Sequence, residues 1–405
     1  MKIYDDALAA MDFRVSWELD GIRHTDCRHA QRVNFWRDLL PAGLCETVAR
    51  QPGVRSVALR FQPGQALPHK NPAAVYRVRR TEVEKRWLSG TEIEPRYGRF
   101  YPRGILRGVP GVFRENIQPF RCIGLETEWL DADFNHPMAG KAFSLEVAIQ
   151  DLRPKFEEHG GATIDWLETV LAGPGMQVRA NGGPTHFFGD RSFARTDENE
   201  DGVFYDRPRL VNHIDDAAIR VISELYGRLI PPESEVLDLM GSWRSHLPEA
   251  LPLKALVVLG MNRDELNANP RASERLVRDL NLQPVLPFGT GRFDAVICTV
   301  SVEYLVRPFE VFDEVARVLK PGGPFIVTFS NRWFPPKVIR AWTELHEFER
   351  MGMVLEYFLK SGQYRDLETN SVQGLPRPEN DKYFGQMLYA DPVYSVWGRK
   401  APGRD

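Results

Sequence analysis

Apolar and polar residues alternate with a period of two in several short segments of the first 155 residues: FRVSWEL, VRSVALRF, CIGLETEWL and FSLEVAIQDL. Successive side chains on a strand point to opposite faces, so this pattern predicts half-buried β-strands, with the intervening Pro and Gly at turns. Residues 1–155 are therefore expected to form a β-rich domain. From 156 to 204 the chain turns polar and glycine-rich (AGPGMQ, ANGGPTHFFGD, RTDENEDG), which predicts a linker with some structure, IDWLETVL being a candidate short helix. Beyond it Ile214, Ala218, Val221, Leu225 and Leu229 recur at spacings of three and four, which predicts an amphipathic helix closed by Pro231 and Pro232. Short β-branched runs at EVLDL (235–239), ALVVLG (255–260), FDAVICT (293–299) and FIVTFS (325–330) then alternate with helical patterns such as PFEVFDEVARVLK. Strands that are apolar throughout, with helices between them, imply a parallel sheet covered on both faces.

A chain of 405 residues is too long for one hydrophobic core, in keeping with two domains. Charged residues at 26% and hydrophobic ones at 43% are ordinary for a globular protein and exclude disorder over most of the chain. The formal net charge is -3 and no long run of Lys and Arg occurs, so nucleic acid is not expected as a partner. Small molecules or proteins are. The segment MKIYDDALAAMDF carries acids where a secretory leader is basic, and no apolar run approaches the ~18 residues that span a bilayer. A cytoplasmic location without membrane partners is the expectation. Cys27, Cys45, Cys122 and Cys298 lie far apart with no CxxC pair, which argues against a disulfide framework or a metal site.

A doubly wound sheet binds ligands outside the carboxyl ends of its strands, so the loops after EVLDL, ALVVLG and FDAVICT are where chemistry is expected. The succession EVLDL, RDLNLQPVLPFGTGRFDAVICTVSVEYL, FDEVARVLKPGGPFIVTFSNR and DPVYSVWGRK resembles the class I S-adenosylmethionine-dependent methyltransferases, type 11-like, over residues 205–402. The resemblance implies an α/β Rossmann-like domain with a doubly wound, seven-stranded, mostly parallel sheet. It also implies S-adenosyl-L-methionine as cofactor and methyl transfer to a small-molecule or protein-bound acceptor. By position, Asp238 ends the first strand beneath the methionine part of the cofactor. Met240, Gly241, Ser242 and Trp243 stand in the family's glycine-rich loop, keeping one glycine. Gly260, Met261 and Asn262 end the second strand, with Gly260 where the family places an acid that grips the ribose hydroxyls. Asn262 can donate and accept there, and Asp264 or Glu265 can substitute. Asp279 with Leu280 matches the adenine-contacting acid, its alternative reading being a turn cap. Thr299, Val300 and Ser301 line the cofactor and substrate pocket. Tyr205, His213 and His246 are candidate catalytic residues, since methyl transfer asks for alignment and sometimes a base. Trp333, Phe334, Trp342, Phe348, Tyr357 and Phe358 read either as packed core or as a substrate wall. The altered loop and the missing ribose acid leave a second reading open, a domain that has lost methyl transfer and serves as a binding scaffold.

In the first half, DFNHPMAGKAFSLEVAIQDL (133–152) resembles the last strands of FKBP-type prolyl isomerases, particularly the SlyD-like branch. PRYGRFYPRGIL (95–106) and LLPAGLCETV (39–48) match further segments of that family. The resemblance implies an α+β FKBP-like domain at residues 1–155, with Tyr97 and Leu44 lining a proline pocket. Leu145 stands where the family commonly has an aromatic ring, so isomerase activity is expected to be negligible. Only about 30 residues separate Tyr97 from Asp133, and no inserted chaperone subdomain is expected. Substrate presentation or dimerisation, the chain then acting as a homodimer, is the expected role. An isomerase or chaperone is a third reading.

Overall fold

In the computed structural model the protein is described over residues 7–50, 55–87, 92–155 and 160–403. The first half contributes β1 (Ala7–Leu19), β2 (Ile22–Asn34), α1 (Leu44–Arg50), β3 (Ser56–Phe61), β4 (Val75–Arg79), β5 (Phe100–Pro102), β6 (Pro119–Leu125), β7 (Trp129–Asp133) and β8 (Phe143–Pro154). Helices α2 (Trp166–Leu171) and α3 (Asp201–Tyr205) follow. The second half begins with α4 (Asp216–Leu229), β9 (Ser234–Leu239), β10 (Leu253–Gly260), α5 (Arg263–Ala268), β11 (Glu274–Val277) and β12 (Ala295–Thr299). It ends with α6 (Pro308–Val318), β13 (Pro324–Phe329), α7 (Arg340–Thr343), α8 (Glu347–Ser361), β14 (Tyr364–Gln373) and β15 (Val393–Lys400).

Strands of both halves form one eleven-stranded sheet in the order β11-β10-β9-β12-β13-β15-β14-β2-β1-β8-β3. The seven strands of the second half run from β11 to β14. Five of them, β11 to β13 in that order, are parallel, and β15 is antiparallel to both β13 and β14. Strand order reverses between β9 and β12, which opens a crevice at their carboxyl ends. β13 is buried along its whole length, as a strand covered on both faces must be. Val311, Phe312, Val315 and Val318 form the apolar stripe that α6 lays on the sheet. The side chain of Asp215 accepts from the Ala218 N–H to start α4, and Gly362 in the left-handed region ends α8.

In the first half, Asp20 and Gly21 both adopt positive φ in the two-residue turn between β1 and β2, the geometry an Asp-Gly hairpin favours. Met11, Phe13, Val15 and Trp17 point from β1 into a core shared with Leu145 and Val147 of β8, Leu44 and Val48 of α1, and Trp166 and Val170 of α2. Leu44 and Leu145 are thus core residues, whereas Tyr97 packs on His186 outside that core. The three do not meet in one pocket. Between β3 and β8 the chain builds a separate four-stranded sheet, β4-β7-β6-β5, around Phe120, Leu130 and Ile105. This sheet begins at Val75, before Tyr97, so the spacing from Tyr97 to Asp133 does not bound the segment between β3 and β8.

The stretch expected as a linker with some structure joins the two halves. Its first residues, 156–159, lie outside the described ones, but from 160 onward it is packed between the two halves. Trp166 and Leu171 join the front core, and Met176 and Phe187 the rear one. Arg179 forms a two-point ion pair with the buried Glu356, both bonds 2.7 Å. Some of its polar side chains, Gln177 and Arg179 among them, hydrogen-bond to residues of the flanking units, while others such as Asn181, Asp190 and Glu198 are exposed. Among the described residues no helix is long and apolar enough to cross a membrane.

The halves join where β2 pairs in parallel with β14, and the seam is polar. Arg23 meets Glu368, His24 bonds Thr369 at 2.8 Å, and Arg28 donates to Gln373. Asp26, buried, accepts from Ser371 Oγ at 2.8 Å, Gln177 Nε2 at 3.2 Å and Trp17 Nε1 at 3.4 Å. Burial pushes its carboxyl up from 3.8 to about 6 against those hydrogen bonds. As pH rises through this window the unfolded chain ionises before the folded one, so stability is lost and the deficit is complete above about 6. Asp26→Asn should match the wild type near pH 3.5 and exceed it at pH 7 by about 1–3 kcal/mol in urea unfolding. A difference that does not change with pH would contradict this reading.

Candidate functional site

The loops that leave the carboxyl ends of β9, β10, β11 and β12 enclose one cavity, covered by the segment that runs from α3 into α4. Asp238, Met240, Gly241, Ser242, Trp243 and His246 line it from the β9 side, and Gly260, Met261 and Asn262 from β10. Asp279 and Leu280 line it beyond β11, Thr299, Val300 and Ser301 beyond β12, and Tyr205 and His213 from the cover. The residues that the methyltransferase resemblance assigned to cofactor and catalysis thus meet at one place, Asp264 excepted.

At the floor, Asp238 is 1% exposed and neither carboxylate oxygen has a hydrogen-bond partner among the described residues. Burial pushes its pKa up to about 7, and the Ser245 hydroxyl, near the carboxyl but outside hydrogen-bonding geometry, offsets this only in part. A buried carboxyl without a donor is costly, and such a group in a cavity wall is suited to a ligand that brings the donor.

The loop after β9 does not wrap the cavity as a glycine-rich loop does; it lies along β10. The Gly241 N–H donates to the Leu259 carbonyl at 2.8 Å, Ser242 Oγ donates to Glu265 at 2.6 Å, and Asn269 Nδ2 donates to the Ser242 carbonyl at 2.9 Å. Any side chain at Gly260 would run into the Gly241 carbonyl oxygen. That contact explains the missing ribose acid: the loop occupies the room. Asn262 does not replace it, since its Nδ2 donates to the Tyr205 and Asp206 carbonyls and its Oδ1 accepts from the Asp264 and Glu265 N–H groups. It caps α5 and ties down α3, and its hydrogen-bonding capacity is spent. Glu265 is likewise engaged, accepting from the Arg209 N–H and Ser242.

Asp279 serves as a turn cap with one oxygen: Oδ1 accepts from the Asn281 and Leu282 N–H groups at 2.8 and 3.2 Å. Its Oδ2 accepts no hydrogen bond among the described residues. Thr299 is held by the buried Tyr226 hydroxyl at 2.6 Å, which also reaches Thr328. Met240, His246 and Val300 are three of the seven non-glycine residues with positive φ among the described residues. For β-branched Val300 this is a strained conformation, and strain gathered at one cavity is characteristic of functional sites. Trp243 donates from Nε1 to the Val211 carbonyl at 3.2 Å, with the Arg244 guanidinium 4.7 Å above its ring. The indole reaches across to the cover, and the face under Arg244 is closed to a second cation.

The cover is an aromatic cluster. Phe334 meets Phe204, Tyr205, His213 and Tyr304 with ring centroids 5.0–6.4 Å apart, and the Arg209 guanidinium packs on Phe204 and Phe334. Burial holds the Tyr205 phenol protonated and lowers His213 below its ordinary value. It takes His246 down to about 4, with Arg244 and His213 adding to the shift. Both imidazoles are thereby held in the neutral form at pH 7. Asp201, paired with Arg195 at 2.6 Å and the fully buried Lys337 at 3.2 Å, also binds Asn281 and pins α3 over the site. Asp201, Arg209, Arg278, Asn281 and Tyr304, none of them singled out in the sequence, also line the cavity, as does Phe334, read there as core or substrate wall. Only Tyr304 and Phe334 carried a signal, as aromatics just beyond strand ends. Of the other aromatic residues after β13, Trp342, Phe348, Tyr357 and Phe358 are core, and Trp333 lines a neighbouring cavity. Among the described residues no cluster of His, Cys, Asp and Glu suits a metal ion.

Residues 250–327 match the family described as a methyltransferase domain. No curated protein matches the chain. Among solved structures, a SAM-dependent methyltransferase from Aquifex aeolicus is 14% identical, with 50% of this chain and 97% of that one covered at a TM-score of 0.31. One from Thermotoga maritima is 14% identical over 45% of this chain and 92% of its own, TM-score 0.33. A third, from Mesorhizobium loti, is 14% identical over 44% and 96%, TM-score 0.30. S-adenosylmethionine is the cofactor that the family match implies. The residues present fit it in part: Asp238 and Asp279 offer carboxylate oxygens without protein partners, while no acid is available for the ribose.

If the Gly241–Gly260 contact fixes the loop, Gly260→Ala should cost about 1–3 kcal/mol in thermal unfolding, the range for forcing atoms into a packed site. An unchanged unfolding midpoint would show that the loop is free to move.

Proposed function

We propose that this cavity binds S-adenosylmethionine and that the protein transfers its methyl group to a small-molecule or protein-bound acceptor. The observation that carries the reading is Asp238, a buried carboxyl without a partner, at the end of the first strand of a sheet ordered 3-2-1-4-5-7-6 within the second half. In this reading Asp238 accepts from the methionine ammonium, and Asp279 accepts from the adenine amino group through Oδ2. Buried Leu280 gives the base an apolar wall. Trp243 closes the mouth. When bound, the cofactor supplies an electrophilic methyl group on a cationic sulfur.

The chain's own task is then to orient the acceptor and dispose of its proton. His213 stands in a wall shared with the neighbouring cavity and is neutral, so it is the general base that takes the proton the nucleophile sheds. His246 lines the first cavity alone and orients ligand there, and the protonated Tyr205 phenol is a donor. The front unit, FKBP-like in its sequence resemblance, presents the acceptor or forms a homodimer interface, and its dispersed Leu44, Tyr97 and Leu145 support no isomerase role. Nucleic acid and membrane have no part in the reading, and the cytoplasm is its setting. A second reading, binding without transfer, is favoured by the crowded Gly260 and the spent Asn262.

Calorimetric titration of the full chain with S-adenosylmethionine and S-adenosylhomocysteine tests the first step. Both should bind, and Asp279→Ala should weaken S-adenosylhomocysteine by about 1.5–3 kcal/mol, the worth of a hydrogen bond to a charged group. No heat with either ligand would overturn the proposal; an unchanged constant in the variant would remove Asp279 from the site.

A further inference from the structure

A second cavity, about 340 Å³, opens beside the first and shares with it the wall formed by Val211, His213, Val300, Tyr304 and Phe334. Its charged lining falls into two classes. The acids Asp381 and Asp391 are both held by the buried Arg377 guanidinium, at 2.9 and 2.8 Å, which lies 3.4 Å from Asp215 as well. One guanidinium thus serves all three carboxylates, and the charge of Arg332 acts on Asp381 as well. Arg332 and Lys382 form no ion pair among the described residues; they flank the Tyr383 ring at 4.7 and 5.0 Å. Tyr383 is held below the ordinary phenol range, first by a hydrogen bond with Arg332 and then by the charge of Lys382. Burial, then Arg209, Lys382 and Arg332, lower His213 against the opposing Glu265. Arg332 and Lys382 thus place their charges beside the Tyr383 ring and within reach of the imidazole. Trp333, Phe334 and Tyr383 supply aromatic walls around it.

We propose that this chamber holds the methyl acceptor, and that the acceptor is an aromatic molecule bearing a carboxylate or phosphate seated between Arg332 and Lys382. Its nucleophilic atom then faces the wall shared at His213, where the first cavity begins. The inference rests on the first cavity being the cofactor site. Unpaired cations reward an anion with charge-assisted hydrogen bonds, whereas a neutral molecule of the same shape leaves them as they are. A cationic acceptor would meet Arg332 and Lys382, while the acids of the chamber are held on Arg377.

The test uses the full chain, with 2-naphthoate and its neutral analogue 2-naphthylmethanol as probes and quenching of tryptophan fluorescence as the readout. Naphthoate should bind about tenfold or more tighter than the alcohol, the equivalent of one charge-assisted contact. In the Arg332→Gln/Lys382→Gln double variant the two should fall within about twofold of each other, with the alcohol's affinity serving as the check that the chamber still folds. S-adenosylhomocysteine affinity should not change. Equal affinities in the wild type, or a preference that survives in the double variant, would overturn the anion site while leaving the cofactor reading intact. Loss of S-adenosylhomocysteine binding in the wild type, with the naphthoate preference present, would overturn the cofactor reading and with it the assignment of the chamber to a methyl acceptor.

Discussion

The parallel pairing of β2 with β14 is the contact on which the rest of the molecule depends. Without it β14 would end the rear sheet as an open edge, with unpaired backbone groups. With it, the front strands extend the rear sheet. The pairing is held in register by polar groups that satisfy one another, Asp26 with Ser371 and His24 with Thr369. A slip of one residue would strand them against the wrong face, and buried polar groups without partners are costly. Because the seam fixes one unit on the other, residues 160–214 have a fixed route between them, along which Gln177 and Arg179 are anchored by Asp26 and Glu356. That route ends over the carboxyl edge of the rear sheet and delivers Tyr205, Arg209 and His213 to the cavity.

At the cavity itself a second constraint operates, the close approach of the β9 loop to Gly260. Backbone lies where a ligand-gripping side chain would stand, so the site gains a fixed floor and loses an acid. The left-handed conformations of Met240, His246 and Val300 accompany this path. Trp243 then spans to Val211 in place of a loop that would wrap a ligand with its own backbone. The site is rigid on the β9–β10 side and depends on the cover, anchored through Asp201 and Lys337, for the rest.

Much of the rear half is legible in the sequence because its signals are local. Apolar runs such as EVLDL and FIVTFS appear as β9 and β13, and the Ile214–Leu229 stripe as α4. The candidate residues fall in one cavity for a topological reason: they follow strands that meet at the reversal of strand order. What was not legible depends on pairs distant in sequence. Asp26 and Ser371 are 345 residues apart, and no local pattern marks either as a partner. Asn262 appeared to be a ligand donor because its cap on α5 requires only neighbours, while its bonds to Tyr205 and Asp206 require the fold. In the polar stretch before α3, contacts such as that of Arg179 with Glu356 likewise join residues far apart in sequence, and no local pattern marks them.

The central claim is that the strand-end loops and the cover form a single ligand site. Hydrogen exchange of the full chain with and without saturating S-adenosylhomocysteine, read by mass spectrometry, tests it most directly. The account predicts slower exchange together in segments 238–246, 260–262, 279–282 and 299–301 and, in the cover, 201–214, with the front sheet unchanged. Slowing confined to other regions, or none in the cover, would contradict it.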